Sequence, residues 1–201
     1  MTIKLIMFDI GGVLIDFTEQ QYLEYLHETV MPEVPEIELE RFVMPLMVLL
    51  DYGTLDAPKL EQMVGKHFGI KNLDMHWVKG WRRLAKPKMD VINLANELSK
   101  DYRTVLLSNI SFSRGAEVKE MIGKVLSIKT VYRSCDLRMR KPGPNIYEYV
   151  LKKEGVKPSE AVFIDNQIDN VLGAEEVGIH AIWFRDYDLL LKDLKKLGVL
   201  E

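Results

Sequence analysis

The chain holds a single cysteine, Cys135, among its 201 residues. An intramolecular disulfide is therefore excluded, which fits a reducing compartment. No His–Asn pair can be identified around Cys135, so it reads as an inert thiol rather than a nucleophile. A strong charge of one sign is also missing. Lys and Arg number 27 against 30 Asp and Glu, for a net charge of −3. The broad positive field of a nucleic-acid-binding protein is thus absent. No apolar run is long enough to cross a bilayer, and the Met44–Leu50 run is short and holds Pro45. The apolar run near the start is broken by Asp9, where a secretory leader would continue. With no address signal and no membrane contact, the chain is expected in the cytoplasm. Neither G-x-G-x-x-G nor G-x-x-x-x-G-K-[ST] occurs, and His67 and His76 are too isolated to suggest a zinc site. No internal repeat is visible, and no motif bears on oligomeric state.

What is present is the composition of a folded domain. Hydrophobic residues make up 47% of the chain, as in ordinary globular proteins. Strand signals fall at roughly 3–8, 104–107, 130–132, 161–164 and 180–184. Helical periodicity falls at 91–98, about 114–125, 145–153, 170–177 and 189–197. Strands alternating with helices predict an α/β fold, with a parallel sheet between two helix layers. From about Phe17 to Lys86 the texture differs, with helical stretches and no strand pattern. Asp56 reads there as an N-cap, with Pro58 in the first turn, and Gly69 as a helix stop. This block reads as an insertion after the first strand.

Polar residues gather at predicted strand ends. Asp9 follows Ile6-Met7-Phe8, and Gly11-Gly12 ends that run sharply. Ser108-Asn109 follow the strand at Thr104. Asp165 ends the strand at Ala161, and Asp169 lies shortly beyond. Lys141 sits in the loop Arg140-Lys141-Pro142-Gly143-Pro144. Ligands of open α/β sheets bind outside the carboxyl ends of the strands. A carboxylate there can attack a substrate, hold a metal, or do both. Each residue alone has a plainer explanation as a turn former, a helix cap or a solvated charge. Their joint occurrence in this order is the informative observation.

The order and contexts resemble the haloacid dehalogenase-like (HAD) hydrolase superfamily. The motifs are Phe8-Asp9-Ile10-Gly11-Gly12-Val13-Leu14, Leu107-Ser108-Asn109, Arg140-Lys141-Pro142, and Phe163-Ile164-Asp165 with Asp169. The resemblance implies a Rossmann-like core from residues 1–16 and 87–201, with a small helical cap at 17–86. It makes Asp9 the nucleophile that forms a covalent aspartyl intermediate. Mg²⁺, a hard cation, would take oxygens from Asp9, the Gly11 carbonyl and Asp165, with Asp169 orienting the metal or its waters. Ser108 and Asn109 would bind the phosphoryl group, and Lys141 would offset the negative charge. The implied activity is Mg²⁺-dependent hydrolysis of a small phosphorylated metabolite.

Three departures qualify that expectation. Phosphatases of the family usually carry an acid–base Asp where this chain has Gly11. Asn166 stands where many relatives have a second Asp, and Arg138 where a Gly is common. Gly11 motivates one rival reading, a metal-independent 2-haloacid dehalogenase, and Gly11 with Asn166 another, a catalytically weak binding or regulatory protein. A basic stretch, Lys66, His67, Lys71, His76, Lys79, Arg82, Arg83, Lys86 and Lys88, would attract an anionic substrate, although each residue alone reads more simply as a solvated helix face. Trp77 and Trp81, one helical turn apart, read as packing inside the helical block.

Overall fold

Short apolar runs bounded by turn residues set the strands, and the stretches between them coil. The computed structural model describes residues 2–71, 73 and 76–201, without the side chain of His76. Strand β1 (Leu5–Phe8) leads into the two-residue β2 (Ile15–Asp16). Helix α1 (Glu19–Tyr25) continues into a π-helical turn at Leu26–Val30. Then come α2 (Glu36–Asp51), α3 (Ala57–Phe68) and α4 (His76–Leu84), followed by β3 (Lys86–Pro87). The remainder alternates: α5 (Met89–Asp101), β4 (Arg103–Ser108), α6 (Phe112–Ile122), β5 (Val131–Arg133), α7 (Ser134–Leu137), α8 (Pro144–Glu154), β6 (Ala161–Asp165), α9 (Ile168–Glu176), β7 (His180–Trp183) and α10 (Tyr187–Lys196).

The main sheet has the order β5-β4-β1-β6-β7, and every pair in it is parallel. Side chains of a strand alternate between faces. On one face Ile6, Phe8, Leu106 and Ile164 pack against Val91, Ala95 and Leu98 of α5 and Leu190 and Leu194 of α10. On the other, Leu5, Met7, Leu107 and Phe163 meet Ile146, Tyr147 and Val150 of α8 and Ala174 of α9. Both faces are covered, so the central strands read as unbroken apolar runs without alternation. This is the three-layer α/β architecture that the element pattern predicts.

Register decides where the polar ends fall. Phe8 pairs with Leu106 on one side and with Ile164 on the other. Asp9, Ser108 and Asp165 therefore leave the sheet at the same rim. The backbone N–H of Asp9 donates to the carbonyl of Ile164 at 2.9 Å, which holds the strand end in place.

Among the described residues from 17 to 86 the regular structure is helical, apart from Lys86, which belongs to β3. Asp56 caps α3 by accepting from the N–H of Lys59 at 2.8 Å, and Gly69 ends it at φ 70°. The sequence reading missed the antiparallel pair β2–β3, in which Ile15 lies beside Pro87 and Asp16 beside Lys86. Two-residue strands are too short to show a period, so no pattern could reveal them. Their pairing joins the two ends of the helical segment at its base. Helix α2 runs through Pro45, which costs roughly 3 kcal/mol inside a helix. Burial of Leu39, Val43, Leu46, Met47 and Leu50 offsets it, at about 1.5–3 kcal/mol for each fully buried side chain. Tyr22, Val43, Leu60, Trp77 and Trp81 belong to the same apolar cluster as one face of the sheet, so the helical segment shares the core. Helix α6 begins two residues before the expected Arg114, because Ser111 accepts from the N–H of Arg114 at 3.3 Å and caps it. Among the described residues no helix is long and apolar enough to cross a membrane.

Arg138 is the one non-glycine residue with positive φ among those described, at 52°. Its β-carbon crowds the backbone in that conformation, at a cost of roughly 1–2 kcal/mol. A glycine removes the crowding. Gly155, which ends α8 at φ 67°, exploits the same freedom. Arg138→Gly is expected to stabilise and Gly155→Ala to destabilise, each by about 1 kcal/mol, read as opposite shifts of the urea midpoint.

Candidate active site

Lys141 occupies the centre of the rim. Only 1% of its surface is exposed. Its Nζ lies 2.6 Å from Oδ2 of Asp165 and 2.9 Å from Oδ1 of Asp9, and it donates to the carbonyl of Leu107 at 3.0 Å. The ring of Phe163 lies beneath it at 5.1 Å. Burial works against the ammonium, but Asp165 and Asp9 together hold its pKa above the usual lysine value. Asn109 sets the backbone here. Its Oδ1 accepts from the N–H of Lys141 and its Nδ2 donates to the Lys141 carbonyl, both at 2.9 Å. The peptide bond from Lys141 to Pro142 is cis.

Asp9 is buried directly beyond β1. Burial pushes its carboxyl up to about 6, an effect that Lys141 opposes and Asp165 reinforces; hydrogen bonding to Lys141 and Ser108 brings it down. Its Oδ1 is met by the Lys141 ammonium at 2.9 Å. The Oδ1 of Asn166 is buried and unpartnered. Asp165 is fully buried and well satisfied. Its Oδ1 accepts from the N–H of Gln167 at 2.8 Å, and its Oδ2 accepts from Lys141 and from Asn170 Nδ2 at 3.0 Å.

Gly12 has φ 78°, and a β-carbon there would fall 2.3 Å from the side chain of Asn166. Glycine therefore lets this loop pass close to the strand-β6 loop. Gly11 differs. A β-carbon at residue 11 would have the Phe17 carbonyl, 3.7 Å away, as its nearest neighbour. The space for a side chain exists and is unused.

These residues open onto a cavity of about 130 Å³ between the rim and the helical segment. Asp9, Gly11, Ser108, Asn109 and Lys141 line it, as do Asn166, Gln167 and Asn170. Asp165 lies behind them, joined through Lys141. Asp169 does not take part. It is exposed on α9 and absent from the cavity wall. The first turn of the helix turns Asp169 outward and the next residue, Asn170, inward. The Asn109 amide, expected at a phosphoryl group, is committed to the Lys141 backbone and acts as a positioning group. No described basic side chain from Lys66 to Lys88 lines the cavity, and the side chain of His76 lies outside the described residues. The cationic wall comes instead from Arg114 and Arg140, which face Glu19 and Asp51 of the helical segment. Only Arg140 had drawn attention, as a neighbour of Lys141; nothing in the local sequence sets the other three apart. Trp77 packs edge-on against Tyr22 at 4.6 Å, as expected of an interior side chain, whereas Trp81 also reaches the cavity wall. Cys135 is a buried free thiol whose pKa burial pushes up to about 11, as suits an inert group.

Among the described residues no three His, Cys, Asp or Glu side chains converge to hold a metal. The rim offers an all-oxygen set of another kind: the Asp9 carboxylate, the Asn166 amide oxygen and the Gly11 loop at the cavity, with the Asp165 carboxylate behind them. The amide oxygen among them is buried without a hydrogen-bond partner. One or two carboxylates supplemented by neutral oxygens and water suit Mg²⁺, which keeps much of its hydration shell.

A family model described as haloacid dehalogenase-like hydrolase matches residues 3–178. A D-ribitol-5-phosphate phosphatase of Bacteroides thetaiotaomicron is 26% identical, covering 88% of this chain and 89% of its own. A sesquiterpene phosphatase of Aspergillus oryzae is 24% identical, covering 98% and 97%. Among solved structures, a HAD family enzyme of Bacteroides thetaiotaomicron superposes with a TM-score of 0.81 at 22% identity, over 95% of this chain and 99% of that one. A further structure of that enzyme, as a complex with magnesium and inorganic phosphate, superposes at 0.78.

Removing Lys141 leaves two buried carboxylates uncompensated. Lys141→Met is expected to lower stability near neutral pH by about 3–5 kcal/mol, measured by urea unfolding. A change within about 0.5 kcal/mol would show that the ammonium does not hold the rim together.

Proposed function

The chain belongs to the haloacid dehalogenase-like hydrolase family, and from that premise we propose that it is a Mg²⁺-dependent phosphatase of a small phosphorylated metabolite. The observation that carries this reading is the buried Asp9–Lys141–Asp165 array at the cavity, with the Asn166 amide oxygen beside it buried and without a partner. An oxygen of Asp9 attacks the phosphorus of a phosphomonoester. The bond from phosphorus to the ester oxygen breaks, and the alcohol leaves with a proton from a water in the cavity. The hydroxide left by that water then attacks the aspartyl phosphate, releasing inorganic phosphate and restoring the carboxylate. Lys141 offsets the charge that accumulates when carboxylate and phosphoryl oxygens meet, and the Ser108 hydroxyl donates to a phosphoryl oxygen. Asp9, the Gly11 carbonyl, Asp165 and Asn166 would hold Mg²⁺, which neutralises phosphoryl charge when bound. Asp165, held by Lys141, Gln167 and Asn170, keeps that arrangement fixed. Residues 17–86 serve as a cap over the cavity, and 1–16 with 87–201 form the catalytic core. The phosphatases among its relatives support the reaction class.

The lack of an acid at residue 11 is what favours a metal-independent 2-haloacid dehalogenase or a slow binding protein. The cluster of oxygens at the rim argues for the metal-dependent reading instead. A panel of phosphomonoesters assayed with Mg²⁺ and with chelator separates them: turnover lost on chelation is expected, and turnover indifferent to chelation would sink the proposal. Asp9→Asn should abolish turnover, and full retained activity would rule out Asp9 as nucleophile. The space at residue 11 yields a gain-of-function test. Gly11→Asp restores a general acid and is expected to raise kcat by about 10²–10⁴-fold on substrates with poor leaving groups, measured under saturating Mg²⁺.

A further inference from the structure

The phosphoryl end of the cavity is described above; its opposite wall is not. Arg114 of α6 is 8% exposed although it carries a full charge. Its guanidinium lies between the rings of Phe17 and Trp77, at 4.9 and 4.8 Å. It makes one contact to Glu19, Nη1 to Oε1 at 3.2 Å, and its buried Nε has no partner. Arg140 likewise meets Asp51 through one nitrogen, Nε to Oδ2 at 3.3 Å, while its Nη1 donates to the Lys141 carbonyl at 3.3 Å and leaves Nη2 over. Neither pair is the two-pronged fork that arginine and carboxylate form when each satisfies the other. All four side chains line the cavity, a wall of two cations and two anions with no net charge whose carboxylates each hold only one arm of an arginine.

We propose that Arg114, with Glu19, Asp51 and Arg140, forms the specificity subsite of this pocket and receives the neutral, hydroxylated carbon chain of a small phosphomonoester. The inference rests on the phosphatase reading. A hydroxyl both donates and accepts, so a run of hydroxyls can serve Arg114 and Glu19 together, and then Arg140 and Asp51. A second anionic group would reach the arginines only by lying against two carboxylates. An ammonium would meet the reverse conflict. The carbon backbone of such a chain finds apolar surface on Phe17, Met47 and Trp81. Size points the same way: at about 130 Å³ the cavity falls below the roughly 300–1,000 Å³ of pockets for drug-sized ligands. A short polyol fits better than a nucleoside or a flavin.

Matched probes test this. Glycerol 3-phosphate is compared with 3-phosphoglycerate, and sorbitol 6-phosphate with 6-phosphogluconate. The neutral member is expected to have the higher kcat/KM by at least about 10-fold, the scale of one charge-assisted hydrogen bond. Arg114→Met should raise KM for the neutral members by about 10- to 100-fold, with the inhibition constant of inorganic phosphate shifting far less. Because Arg114 also packs between two rings, Glu19→Gln provides a variant of conserved shape, expected to narrow the preference. Equal use of both members by the wild-type protein overturns the subsite and leaves the phosphatase standing. So does a fall in Tm with the preference intact, which marks the two ion pairs as a clamp between the helical segment and the core. No turnover of any phosphomonoester, with calorimetric binding of sorbitol 6-phosphate that Glu19→Gln abolishes, overturns the phosphatase and leaves the subsite standing. Neither turnover nor binding overturns both.

Discussion

One ammonium shared by two buried carboxylates organises this molecule. Lys141 cannot sit in an apolar interior unless its charge is met, and Asp9 and Asp165 cannot lie side by side unless something cationic separates them. Each group is therefore tolerable only because the others are present. The surrounding polar groups fix the geometry: the Leu107 carbonyl takes a further Lys141 proton, while Gln167 and Asn170 saturate Asp165. Asn109 holds the Lys141 backbone at both its N–H and its carbonyl. Asp9 is the least satisfied member, and burial leaves its carboxyl raised to about 6. The residue assigned the chemistry is thus the one whose charge is least compensated by its surroundings.

The sheet makes this cluster possible. Three parallel strands in aligned register deliver Asp9, Ser108 and Asp165 to one rim, while the helices on both faces keep water from the strands beneath. Gly12 brings the first loop against Asn166, whose amide oxygen is buried and unpartnered. On the far side of the cavity the helical segment contributes anions and the core contributes arginines. Those two ion pairs join the parts that must enclose a substrate. The same contacts can therefore carry both closure and selectivity, which is why substrate preference rather than stability is the informative property of that wall.

Much of the core was legible in the sequence. Apolar runs ending in Asp9, Ser108 and Asp165 report both strand and rim, because a buried parallel strand must be apolar throughout and its first polar residue marks its exit. Other features were not legible. Asp169 looked like a site residue because acidic side chains near Asp165 suggest a cation, but the phase of α9 turns it outward and brings Asn170 in. Helical phase depends on where the helix starts, and no cap signal marked that start. Asn109 looked like a phosphate ligand, yet its amide is spent on a neighbouring loop that only the fold brings near. The basic stretch in the helical segment was conspicuous by charge alone, and none of its described basic side chains lines the cavity. Arg114 and Glu19, 95 residues apart, had no local signature at all.

The sequence by itself determined the layer architecture, the family and the place of Asp9 at the rim, because these depend on local patterns: apolar runs, glycine turns and the residues at strand ends. It also showed that residue 11 carries no acid. Only the tertiary structure decided that this absence leaves usable space, that Asn166 and Asn170 rather than Asp169 border the cavity, and that two arginines and two carboxylates line its opposite wall. Those are matters of which distant surfaces meet. Chain order does not encode them, since the free energy of burying a charge depends on what the rest of the fold places beside it.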